Sequence, residues 1–74
     1  TVGSVLGDVF ESELTDRQQQ VLRAAVYSGY FNSPRRTTAT EIADALSLTQ
    51  STVSYHLRHA ERTLFEQLFD RLQR

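Results

Sequence analysis

The 74-residue sequence has no cysteine, lysine, methionine or tryptophan, only one proline and three glycines. Without cysteine there is no disulfide framework, no thiolate nucleophile and no cysteine-bearing zinc site. The two histidines, His56 and His59, are too few for a histidine-rich metal site, so no metal or cofactor is expected. No apolar run approaches the roughly 18 residues a membrane span needs. No basic stretch precedes an apolar one, so no signal peptide is expected, and the expected location is cytoplasmic. Glycine-rich phosphate-binding loops are also missing. The chain starts at Thr1 rather than methionine, and it is expected to be a piece of something longer.

A large excess of one charge is missing too. Eight basic and nine acidic side chains leave a net charge of −1, whereas nucleic-acid-binding domains are often strongly basic. Hydrophobic residues at 39% and charged residues at 23% fit one small globular domain rather than a disordered chain. A domain of this size buries only about 60% of its unfolded surface, which leaves its stability marginal. Every basic side chain is arginine. A GC-rich genome accounts for that, and so does a salty cytoplasm in which strongly hydrated ammonium groups are disfavoured.

Helical spacing dominates what is present. Val2, Val5, Leu6, Val9 and Phe10 mark one face of a short helix. Gly3 and Gly7 weaken it by about 1 kcal/mol each against alanine, and an extended tail from an upstream region fits residues 1–13 as well. Residues 14–74 form the domain proper. Thr15-Asp16-Arg17-Gln18 has capping-box form, with Leu14 as the staple residue ahead of it. Val21, Leu22, Ala25 and Val26 are the buried stripe of a helix over about 16–28, and Gly29 is its natural stop. Asn32-Ser33-Pro34 is turn chemistry; Tyr30 and Phe31 are expected to fold back into the core, with Arg35 and Arg36 exposed. Thr38-Ala39-Thr40-Glu41 is a second capping box. It opens a helix over about 39–46 with Ile42, Ala43 and Leu46 inward. Thr49 caps a long helix from about 50 to 72, whose inward stripe is Val53, Leu57, Ala60, Leu64, Leu68 and Leu72. At 1.5 Å per residue that helix is roughly 36 Å long.

Residues 39–58 have the pattern of a helix-turn-helix. Two helices that cross closely need a small residue, which Ala43 supplies. Ile42, Leu46, Leu48 and Val53 fill the shared core. Ser47 stands where glycine is commonest, and the next expected apolar site falls on His56, with Leu57 one place later. The second helix turns Gln50, Ser51, Thr52, Ser54, Tyr55 and Arg58 away from that core. These side-chain types reach base edges and phosphates in the major groove. An ordinary solvated helix face carries glutamate and lysine, which favour the helix. Here Gln-Ser-Thr followed by Ser-Tyr gives up helix propensity, and DNA reading accounts for that sacrifice. His59 and Arg62 lie further along the same helix, within reach of the DNA backbone, and Arg35 and Arg36 are placed to grip phosphates from the loop.

With those residues in view, the sequence resembles the C-terminal domain of bacterio-opsin-activator-type transcription regulators of halophilic archaea. The likeness runs over about residues 14–69. It rests on Leu14-Thr15-Asp16-Arg17-Gln18, Val21-Leu22-Arg23-Ala24-Ala25 and Gly29-Tyr30-Phe31 with Pro34-Arg35. It continues through Thr38, Glu41-Ile42-Ala43, Leu46, Gln50-Ser51-Thr52-Val53-Ser54, His56-Leu57-Arg58 and Ala60-Glu61-Arg62. The resemblance implies sequence-specific double-stranded DNA binding in transcription regulation, often behind an upstream sensor domain such as a PAS or GAF module.

Two rival classes deserve weighing. Catalysis would have to use Glu41, Asp44, Glu61, Glu66 or Asp70, which sit on solvated helix faces, or His56 and His59, which lack a third metal ligand; the chain is not expected to be an enzyme. A protein-interaction or dimerisation module of a larger regulator, with little DNA specificity of its own, is the alternative reading. Leu64, Phe65, Leu68, Phe69 and Leu72 make the end of the last helix unusually apolar, and a homodimer through these residues is expected. A winged helix would need a β-hairpin after Arg58, where only helical pattern exists. The expected fold is therefore all-α: a wingless helix-turn-helix domain of the sigma-region-4-like type, with a long C-terminal recognition and dimerisation helix.

Overall fold

Hydroxyl side chains fix where three of the four helices begin. The computed structural model describes the backbone of residues 2–73 and the side chains of residues 7–73. Helix α1 runs Val2–Glu13, α2 Asp16–Ser28, α3 Ala39–Leu46 and α4 Gln50–Leu72, with no strand among the described residues. The last three match the expected segments. At α2 the Thr15 hydroxyl accepts from the Gln18 amide, while the Gln18 side chain accepts from the Thr15 amide, completing the capping box. The Thr38 and Thr49 hydroxyls accept from the amides of Glu41 and Thr52. At α3, however, the box is only half made. The Glu41 carboxylate accepts from the Thr37 hydroxyl at 3.2 Å instead of turning back to the cap. Thr37 is buried, and its hydroxyl gains an acceptor that way.

The core gathers on one side of α4. Val53, Leu57 and Ala60 are buried there, together with Leu14, Val21, Leu22 and Ala25 from the α2 side and Ile42 and Ala43 from α3. Alanines at 25, 43 and 60 let the helix backbones approach closely. All three other helices pack on α4, and α2 also packs on α3.

The N-terminal segment is helix rather than extended tail. Val9 is fully buried, and Phe10 packs at the edge of the core beneath the Arg23 guanidinium, 5.0 Å from its ring centre. The expected stripe residues Val2, Val5 and Leu6 lie outside the described side chains. Asp8 and Arg71 approach to 4.0 Å across α1 and α4, an exposed pair of little energetic weight.

Three expectations about the core need correction. Val26 is 54% exposed and Phe31 47% exposed; both line an open hollow with Leu22, Leu64 and Phe65 rather than filling the core. Tyr30 does pack against the core. Along α4 the buried stripe fades: Leu64 and Leu68 are half-buried and Leu72 is exposed.

Among the described residues two hold left-handed backbone, one at the end of α2 and one at the end of α3. Gly29 has φ 86° and Ser47 has φ 57°. A Cβ on Gly29 would stand 2.7 Å from the Arg36 Cβ, because the loop folds back and the amides of Asn32 and Arg36 both donate to the Gly29 carbonyl. Opposite effects are expected at the two positions. Gly29→Ala should lower unfolding free energy by about 1–2 kcal/mol or more, and Ser47→Gly should raise it by up to about 1 kcal/mol. Urea unfolding followed by helical circular dichroism measures both.

Candidate nucleic-acid interface

The helix-turn-helix consists of α3, the turn 47–49 and α4. Its turn is closed by the Leu48 amide donating to the Ala43 carbonyl at 2.8 Å. Leu46 and Leu48 pack against the core from either side of Ser47. With Val53 and Leu57 anchored inward, helical geometry turns the opposite face of α4 outward.

On that outward face, Gln50, Ser51, Ser54, Tyr55 and Arg58 line one open concavity. A second hollow follows one turn later, lined by Tyr55, Arg58, His59 and Arg62. Tyr55 and Arg58 belong to both and form the ridge between them. The Tyr55 ring is 62% exposed. It stacks on His59 at 5.9 Å between ring centres with 22° between planes, and meets the His56 ring near its edge at 5.4 Å.

The loop arginines approach the same side. A third concavity holds Tyr30 together with Ser54, Leu57, Arg58 and Glu61. The Arg35 guanidinium lies over the Tyr30 ring, 4.3 Å from its centre, and Tyr30 meets Phe31 edge-on at 5.2 Å. Stacking on Tyr30 thus holds Arg35 on a ring that shares a hollow with Ser54 and Arg58 of α4. Arg36 is exposed as well, with its aliphatic stem against Gly29.

Three residues of the expected set already have hydrogen-bond partners, the first being Ser51, whose hydroxyl lies 3.4 Å from that of Thr49. Thr52 is half-buried, and its hydroxyl lies 2.8 Å from that of Thr49, so it serves the helix start rather than the open face. The Arg62 Nε donates to Glu66 at 2.8 Å. That hydrogen bond, and then the carboxylate charge, raises the Arg62 pKa above its usual value. The Thr52 and Arg62 partners were invisible to a reading by face alone; the Arg62–Glu66 spacing of four residues was the available signal.

His56 faces inward. Its Nδ1 is buried with no hydrogen-bond partner among the described residues, at the place where the motif asks for an apolar side chain. No group of three or more His, Asp or Glu side chains that could hold a metal ion exists among the described residues. No helix there is long and apolar enough to cross a membrane.

Residues 14–66 match the family model described as HTH DNA binding domain. A candidate transcriptional regulator of Haloferax volcanii is 52% identical over 62 residues, covering 84% of this chain and 11% of that protein. Transcriptional regulator NarO of the same organism is 44% identical over 62 residues, covering 84% of the chain and 29% of NarO. The bacterioopsin transcriptional activator of Halobacterium salinarum is 37% identical over 59 residues, covering 80% of the chain and 9% of the activator. The chain thus spans under a third of the length of each of these relatives. No solved structure matches it.

The unpartnered His56 nitrogen yields a stability prediction. A buried polar atom without a partner costs about 1–3 kcal/mol. His56→Leu keeps similar volume and removes the polar atom, so the melting temperature should rise in a thermal scan. A fall would show that the imidazole has a structural role that leucine cannot fill.

Proposed function

Since the chain belongs to the family of HTH DNA binding domains of the bacterio-opsin-activator type, we propose that it reads double-stranded DNA with the N-terminal half of α4. The observation that carries this reading is the open face of Gln50, Ser51, Ser54, Tyr55 and Arg58, polar but for one ring and poor in helix-favouring charge. In the proposed complex this face enters the major groove. The Gln50 amide, at the helix start, is placed to pair with adenine by two hydrogen bonds. Arg58 meets guanine or phosphate. Arg35, held by Tyr30, and Arg36 grip phosphates. His59 lies along the DNA backbone, Arg62 reaches a phosphate by leaving Glu66, and Thr52 contributes through the cap.

Transcription regulation is the proposed role, as the names of the haloarchaeal relatives say of those proteins. The proposed setting is the cytoplasm, within a longer regulator in which a sensor module precedes this domain. The reading gives the domain no catalytic step.

Homodimerisation is the second part of the proposal. Phe65, Phe69 and Leu72 are exposed, and Leu64 and Leu68 are half-buried beside them. Val26 and Phe31 extend this apolar surface, sharing a concavity with Leu22, Leu64 and Phe65. Leaving so much aromatic and aliphatic area in water forgoes a large burial energy, and a second copy offers an identical surface to cover it.

Selection of DNA fragments from a random duplex library tests the DNA reading. Gln50→Ala should change the preferred sequence, with about 1–3 kcal/mol lost at the position it reads, whereas Arg35→Ala should weaken all fragments alike. Unchanged rank and strength for the Gln50 variant would overturn the assignment. Light scattering tests the dimer: Phe69→Glu should give a folded monomer with weakened DNA affinity. A variant that stays dimeric would move the interface elsewhere.

A further inference from the structure

We propose that Tyr55 is a specificity-determining residue that reads the 5-methyl group of thymine. The proposal rests on the reading of α4 as the DNA-facing helix and names what its one large apolar group is for. Gln50, Ser51, Ser54 and Arg58 around it are hydrogen-bonding side chains, and a half-exposed phenol ring among them gains nothing from water. Base edges in the major groove offer donors and acceptors throughout, with one apolar exception, the thymine methyl. A ring at the centre of the reading face therefore has a single apolar partner there.

The geometry prepares the ring for that contact. His59 stacks along one side of it and His56 stands at its edge. Two imidazoles narrow the rotamers open to Tyr55, so little side-chain freedom remains to be lost on binding. The ring also lines both hollows of the face, so it is exposed at the centre of the surface that would enter the groove. His59 acts as a positioning residue in this arrangement, and the Tyr55 hydroxyl is dispensable.

Deoxyuridine differs from thymidine in this methyl alone, which makes the test direct. The 74-residue chain is used to select a preferred duplex from a random library. Each thymine of that duplex is then replaced in turn by deoxyuridine, and affinities are measured at one fixed salt concentration. For the unaltered chain, at least one position should lose about fourfold in affinity, the worth of burying one methyl group. Tyr55→Phe should show the same loss at the same position. Tyr55→Ala, with helical content checked by circular dichroism, should be indifferent to the replacement there. A flat scan of the selected duplex overturns the proposal while leaving DNA recognition standing, and so does a selected site without thymine. A loss that persists in Tyr55→Ala overturns it as well. Tyr55→Phe weakening every duplex as much as Tyr55→Ala would assign the hydroxyl to a phosphate instead. Failure to select any preferred sequence overturns sequence-specific recognition, and this proposal with it.

Discussion

Everything in this domain leans on one side of one helix. Val53, Leu57 and Ala60 of α4 are buried against α2 and α3, and α1 packs on the same helix. A helix has a fixed angular period, so anchoring three positions fixes the direction of all the others. The positions Gln50, Ser51, Ser54, Tyr55 and Arg58 are thereby directed away from the core that opposes them. In a chain of marginal size, one element serving both as core wall and as exposed face spares the cost of ordering a second scaffold.

The loop between α2 and α3 is positioned by a different device. Gly29 takes a left-handed conformation that lets the chain double back, and its carbonyl accepts from two loop amides. That fold brings Tyr30 against the core and sets Arg35 upon it. A flexible arginine is thus held by stacking on a ring that shares a hollow with Ser54 and Arg58 of α4.

A net charge of −1 gives the molecule little long-range attraction for a polyanion. Under the proposed function, affinity then has to come from close contacts: hydrogen bonds from Gln50 and the serines, arginines placed by local packing, and apolar contact from Tyr55. The second apolar surface, around Val26, Phe31, Phe65 and Phe69, lies on the C-terminal half of α4 and the end of α2. One helix therefore carries its polar face and this apolar surface in succession.

Local chemistry was legible in the sequence. Helix limits follow from Thr15, Thr38, Thr49 and Gly29, because a cap satisfies backbone groups within three residues of itself. The inward positions of α4 near its start follow from periodicity, as do the candidate reading residues opposite them. Other features were decided only when the helices packed. Periodicity marks which side of α2 is apolar but not how far α4 extends along it, so Val26 and Phe31 were expected inside and stand outside. The Glu41 carboxylate had two donors within reach, the Thr38 amide of a full capping box and the Thr37 hydroxyl, and the burial of Thr37 decided between them. The docking of α1 through Val9, the stack of Arg35 on Tyr30 and the bracing of Tyr55 by two histidines each depend on which side chains meet. Spacing along a chain fixes direction around one helix axis, whereas contact depends on the crossing of two.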